Sequence, residues 1–167
     1  LGREIAAALT HTSLKEKFTL RGFIDDNYAI GDVVNGIPVA GGLDWLTHQN
    51  GLQLFIAIAN NEVRERIANQ FPQHTFPRMI HPAVNQPDDF FVRIGHGSYI
   101  AEGCVLTTNI HIGRHTLILP GCTLMPGVRI TSGATIGNNV HIGPGTIIAK
   151  NTTIPSNTNI PPATIIT

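Results

Sequence analysis

Charged side chains are scarce in this 167-residue chain, at 13%, and its eleven cations are balanced by eleven carboxylates. That balance gives no reason to expect a nucleic-acid or membrane-surface partner. No apolar run is long enough to span a bilayer, and no signal peptide is visible. Two cysteines do not make the disulfide framework of a small secreted domain, so buried free thiols in a reducing, cytoplasmic setting are expected. A starting methionine is also lacking. The chain opens at Leu1, which reads as a trimmed or incomplete version of a longer protein.

Glycine and proline are abundant, at 17 and 11 residues, and they punctuate a strict repeat. From Ile94 to Ile166 every sixth residue is Ile or Leu, without an insertion. Neither a helix nor a single strand has that period. A hexapeptide repeat is the mark of a parallel β-helix, in which three hexads make one triangular coil. Residues 18 apart then stack about 4.8 Å apart, the spacing of neighbouring strands. The fifth hexad position is small or β-branched, as at Ser98, Cys104, Thr116 and Cys122, and is expected to point inward. The fourth is Gly, Asn, His or Ala throughout, as corners with φ > 0 require. Outward sixth positions place Tyr99 and Leu117 on one face and Ile147 and Ile165 on another. Both are read as exposed apolar columns for protein contacts, with a threefold oligomer the natural use of a three-sided prism.

Residues 1–78 follow another pattern. Helices are expected at Gly2 to Leu9, Leu43 to His48 and Glu62 to Gln70, the last capped by Asn60-Asn61. Strands are expected at Thr19 to Ile24, Gly36 to Val39 and the wholly apolar Leu52 to Ala59, making a small parallel α/β unit. Phe71 to Asp89, with four prolines, reads as the connection to a β-helix over 79–167.

Five segments come in a telling order: Leu1-Gly-Arg-Glu-Ile-Ala, Phe23-Ile-Asp-Asp26, Gly36-Ile-Pro-Val39, Ile56-Ala-Ile-Ala-Asn-Asn-Glu-Val-Arg64 and Ile80-His-Pro82, followed by the hexads. Together they resemble the hexapeptide-repeat acetyltransferases that acetylate UDP-4-amino-sugars or sialic acid. The resemblance implies a partial Rossmann-like α/β unit holding a nucleotide sugar and a left-handed parallel β-helix forming homotrimers. Acetyl-CoA would lie in the groove between adjacent helices. It implies substrate contacts at Asp25 and Asp26, with Asn60, Asn61 and Arg64 near them, and small cofactor-facing residues at Gly137, Gly143 and Ala149. The chemistry agrees, since strand ends and helix N-termini are where α/β folds bind such ligands.

The sequence also departs from that family. The glycine-rich loop and strand that precede the Gly-Arg-Glu helix in relatives are not in this sequence. The family's catalytic histidine aligns with Pro126, or, one hexad later, with Ser132; His141 then matches a second family histidine and becomes the candidate base or oxyanion partner. His111 is another outward histidine that a subunit-interface site could use. His96 and His115 should meet at one corner, but no third histidine converges to complete a zinc site, so no metal is expected. Three functions follow: an acetyl-CoA-dependent acetyltransferase, a non-catalytic scaffold or sugar-nucleotide binder that has lost the histidine, and, third, a zinc enzyme like γ-class carbonic anhydrase.

Overall fold

A computed structural model describes residues 1–87 and 91–167. The hexads build a three-sided parallel β-helix. Its first face stacks Met79–Ile80, Tyr99–Ile100, Leu117–Ile118, Thr135–Ile136 and Thr153–Ile154. The second face runs from Val105–Leu106 through Thr123–Leu124 and His141–Ile142 to Asn159–Ile160. The third runs from Val92–Ile94 through Ile110–Ile112, Arg129–Ile130 and Ile147–Ile148 to Ile165–Ile166. From Val92 onward each pair of neighbouring strands is in an 18-residue register, as with Thr123 and His141. The repeat positions form one continuous core, in which Ile118, Leu124, Ile130, Ile136 and Ile142 are fully buried.

All twelve fourth positions take positive φ, including His115 at 51° and Ala163 at 54°. Side chains at these corners fold over the glycine one coil earlier. A Cβ at Gly133 would lie 2.0 Å from Asn151 Oδ1, and one at Gly97 would lie 2.2 Å from His115 Nδ1. Glycine is therefore demanded there twice, by backbone conformation and by the overlying side chain. Cys104 and Cys122 stack inside the prism as free, buried thiols. Their mutual contact, and then burial, push the Cys122 thiol up.

The N-terminal unit comprises α1 (Gly2–His11), β1 (Phe23–Ile24), β2 (Val33–Val34), β3 (Ile37–Gly41), α2 (Leu43–Thr47) and α3 (Asn61–Gln70). Its sheet is mixed, since β3 pairs in parallel with β1 and antiparallel with β2. The strand expected over Thr19 to Ile24 is confined to its last two residues. Leu52 to Ala59 is not a strand in a sheet. Among the described residues its one ladder contact is an isolated bridge between Gln53 and Thr75. Its apolar side chains serve two packed clusters instead, Phe55 and Ala57 on one side and Leu52, Leu54 and Ile56 on the other. That double burial makes the segment wholly apolar.

Two further expectations change. Tyr99 and Leu117 are not an exposed column: α1 lays Ile5, Ala8 and Leu9 across them, and Leu117 is wholly buried. These helix residues recur at the spacing of one helical face, so the α/β unit itself covers the first face of the prism. Ile147 and Ile165, by contrast, are exposed. Of the stretch read as a connection, the part from Met79–Ile80 on is not linker but pairs with β-helix strands, with a further bridge from Asn85 to Val105. Its last residues, Asp88 and Asp89, lie outside the described residues.

Candidate functional site

Asp25 and Asp26 stand at the end of β1, where the chain turns. Asp25 Oδ1 accepts the backbone and side-chain N–H groups of Asn27 at 3.0 and 2.9 Å. Asp26 Oδ1 accepts the Leu43 N–H at 2.7 Å and so caps α2, whose own cap residue, Gly42, has no side chain to do so. Each carboxylate keeps a second oxygen without a hydrogen-bond donor among the described residues. Those two oxygens are available to hydroxyl or N–H groups of a ligand.

Asn60 caps α3 by accepting the Val63 N–H at 3.0 Å. The two residues expected beside it are otherwise engaged. Asn61 reaches into the β-helix, donating to the Asn151 carbonyl at 2.7 Å and accepting the Thr135 hydroxyl at 2.6 Å. Arg64 is fully buried. Its guanidinium donates to the His115 carbonyl at 2.8 Å, the Ile58 carbonyl at 2.6 Å and the Gly133 carbonyl at 2.7 Å, and also to Asn61, Ala59, Ala134 and Thr135. Every N–H of the fork is used, and none of these acceptors is a carboxylate. Burial lowers the guanidinium pKa to about 10. Arg64 and Asn61 thus pin α3 onto the corner column His115–Gly133–Asn151, and their polar atoms point away from solvent.

Sequence reasoning passed over the cleft created by that docking. A cavity of about 230 Å³ opens between the start of α1 and the β-helix, lined in part by Glu4, Ala59, Pro120, Thr135 and Asn138. Glu4 was visible in the Leu1-Gly-Arg-Glu segment, but only the packing of α1 on the first face brings it opposite Asn138.

On the prism, His141 projects from the second face into solvent, between Thr123 and Asn159 on the adjoining coils. No hydrogen bond orients its imidazole among the described residues. Pro126 is exposed at a corner completed by Gly127 at φ 76°. Ser132 Oγ accepts the Arg114 N–H at 3.1 Å, linking two coils and leaving the hydroxyl proton free to donate. Neither position carries a titratable base. His111 is exposed on the third face, between Arg93 and Arg129.

Gly137 and Gly143 are buried where coils approach closely. A Cβ would stand 2.5 Å from the Ser156 nitrogen in one case and 2.6 Å from the Pro162 nitrogen in the other. Ala149 is half-buried at the next corner. His96 and His115 do meet, with ring centroids 6.4 Å apart, and Phe76 packs edge-on against His115 at 5.0 Å. Burial, followed by the charges of His96, Arg64 and Arg114, lowers the His115 pKa to about 4. No group of three potential metal-ligating side chains occurs among the described residues.

Residues 2–71 match the PglD N-terminal domain family, and residues 109–144 match the bacterial transferase hexapeptide (six repeats) family. No curated protein sequence matches the chain. A single-site variant of GDP-perosamine N-acetyltransferase from Caulobacter crescentus, solved with CoA and GDP-perosamine, is 20% identical, with a TM-score of 0.72 over 98% of this chain and 87% of that one. WeeI from Acinetobacter baumannii AYE is 22% identical, with a TM-score of 0.66 over 98% of this chain and 90% of that one. PerB from Caulobacter crescentus, in complex with CoA and GDP-perosamine, is 21% identical at a TM-score of 0.55, covering 99% of this chain and 84% of that one. At these identities the likeness establishes the fold: a small, partial Rossmann-like α/β unit followed by a left-handed parallel β-helix.

Proposed function

We propose, from the premise that the chain belongs to the hexapeptide-repeat sugar acetyltransferase family, that it transfers an acetyl group from acetyl-CoA to an amine or hydroxyl of a nucleotide-linked sugar. The observation that carries this reading is the docking of a PglD-type unit onto the β-helix by Arg64, with a cleft left between the two whose mainly apolar lining includes Glu4, Thr135 and Asn138. Residues 1–78 would hold the nucleotide sugar, with the free oxygens of Asp25 and Asp26 accepting its hydroxyl or base N–H groups and Asn60 at the head of α3 close by. Residues 79–167 would hold acetyl-CoA. Three arginines of that half, Arg93, Arg114 and Arg129, suit such a ligand, while Lys150 pairs with Glu65 and the same half carries Asp88, Asp89 and Glu102. Gly137, Gly143 and Ala149 supply thin corners along which the pantetheine arm could run.

Acetyl-CoA supplies the activated acyl group. The sugar nitrogen or oxygen attacks the thioester carbonyl carbon, the C–S bond breaks, and CoA leaves as its thiolate while the nucleophile loses a proton. His141 is the candidate acceptor of that proton or donor to the oxyanion. A neutral amine needs less assistance than a hydroxyl, so N-acetylation fits a site with serine or proline at the family's base position. The exposed Ile147 and Ile165 support a homotrimer whose prisms pack side by side. The reduced, buried Cys104 and Cys122 support a cytoplasmic setting.

A second reading is favoured by Pro126 and Ser132 themselves: a sugar-nucleotide binder or trimeric scaffold without turnover. Titration of acetyl-CoA and a panel of UDP-linked amino sugars, following binding and free-thiol release together, separates the two. Thiol release that depends on the sugar supports the transferase. Binding without thiol release supports the second reading, and no CoA binding at millimolar concentration removes the first.

A further inference from the structure

The β-helix, residues 79–167, carries four cations and three carboxylates, and the two halves of the chain are each close to neutral. Two of the cations are nevertheless ordered on the prism. Arg93, His111 and Arg129 occupy the outward position of three consecutive coils on the third face, with Arg93 paired in register to His111 and His111 to Arg129. All three are exposed. No ion pair engages either arginine among the described residues. The strand spacing sets the three side chains about 4.8 Å apart along a line. Arg93 and Arg129 are thus about 9.6 Å apart with His111 between them, and their long, flexible guanidinium forks can close from both ends on one pair of linked phosphates, arginine being well suited to bidentate contacts with phosphate oxygens. Below Arg129 the same column becomes apolar, at Ile147 and Ile165. The change divides the face into a lower part suited to another protein surface and an upper part suited to an anion.

We infer that Arg93, His111 and Arg129 form a binding strip for the linked phosphates of a diphosphate-bearing ligand. The two ligands of the proposed reaction both carry such a group, so the identity of the source rests on the transferase reading, whereas the strip does not.

Inorganic pyrophosphate tests the strip directly, by calorimetric titration at low salt into the wild-type protein and an Arg93→Gln/Arg129→Gln variant. Both substitutions are on exposed side chains, and circular dichroism and sedimentation should be unchanged. Wild-type binding weakened at least about tenfold in the double variant, with Arg129→Lys in between, is the expected result. Absence of pyrophosphate binding at millimolar concentration, or equal binding by both proteins, overturns the strip. Competition then identifies the source. Displacement by CoA assigns the strip to the acyl donor, and displacement by UDP assigns it to the sugar nucleotide. If pyrophosphate binding depends on the arginines but neither nucleotide competes, the strip stands and its link to acetyl transfer fails.

Discussion

Arg64 donates its Nε–H to the backbone carbonyl of His115 at 2.8 Å, joining the third helix of the α/β unit to a left-handed corner of the β-helix. The charge is held by carbonyl, amide and hydroxyl oxygens alone, so both its number of donors and its planar shape matter. Arg64→Lys keeps the charge but offers three donors where the fork offers five. The expected cost is about 3 kcal/mol in urea denaturation, as for other broken buried networks. An unchanged midpoint would mean that the fork is dispensable to docking.

His115 gives that corner a pH dependence. Its pKa is lowered from 6.5 to about 4, chiefly by burial, so the unfolded chain binds more protons than the folded one between those values. Stability from this group is fully present above pH 6.5 and is lost as pH falls through about 4. The loss should reach about 2 to 3 kcal/mol at the acidic end. His115→Asn suits the positive φ and should flatten the stability profile between these pH values. An identical profile in the variant would place the acid sensitivity elsewhere.

At Gly133 the backbone (φ 79°) and the overlying Asn151 side chain both oppose a methyl group. Gly133→Ala should cost about 2 kcal/mol in thermal unfolding. Adding Asn151→Gly should recover the part due to collision and leave the part due to φ. Strict additivity in that double-mutant cycle would show that the two residues do not interact.

The proposed homotrimer can be tested without any ligand. Wild-type protein is expected to sediment as a trimer, and Ile147→Lys/Ile165→Lys, which places two charges in the exposed apolar column, as a monomer with an unchanged circular dichroism spectrum. A trimer surviving both substitutions would move the interface to another face.

For the chemistry, His141→Ala should lower the rate of sugar-dependent thiol release by about 100-fold while leaving acetyl-CoA binding nearly unchanged. A rate equal to wild type would remove His141 from the proton path.

The hexads were legible because core position, corner and period all repeat, so each coil restates the one before. The fate of the outward positions was not. Tyr99 and Leu117 have the same pattern as Ile147 and Ile165, yet α1 covers only the first pair, and nothing within a hexad says which face a distant helix will choose. Leu52 to Ala59 looks like a buried strand because burial on two sides gives the same composition whether its neighbours are strands or side-chain clusters. Arg64 reads from sequence as a ligand contact at the head of a helix. Its acceptors lie up to 71 residues away, so only folding reveals that its donors are already occupied. Asp25 closes a local turn with Asn27, whereas Asp26 caps a helix 17 residues further on, a partner that no local pattern announces.

The 18-residue register gives insertions a geometric meaning. Adding three hexads at a corner would lengthen the prism by one coil and leave every later side chain on its own face. Adding one hexad would keep the core equally intact but rotate everything beyond it by a third of a turn, carrying His141 from the second face to the third. A single-residue insertion would do neither, since it would exchange inward and outward positions. This architecture can therefore move a histidine around its axis without disturbing its packing, and the face on which a reactive group stands can change independently of the fold that carries it.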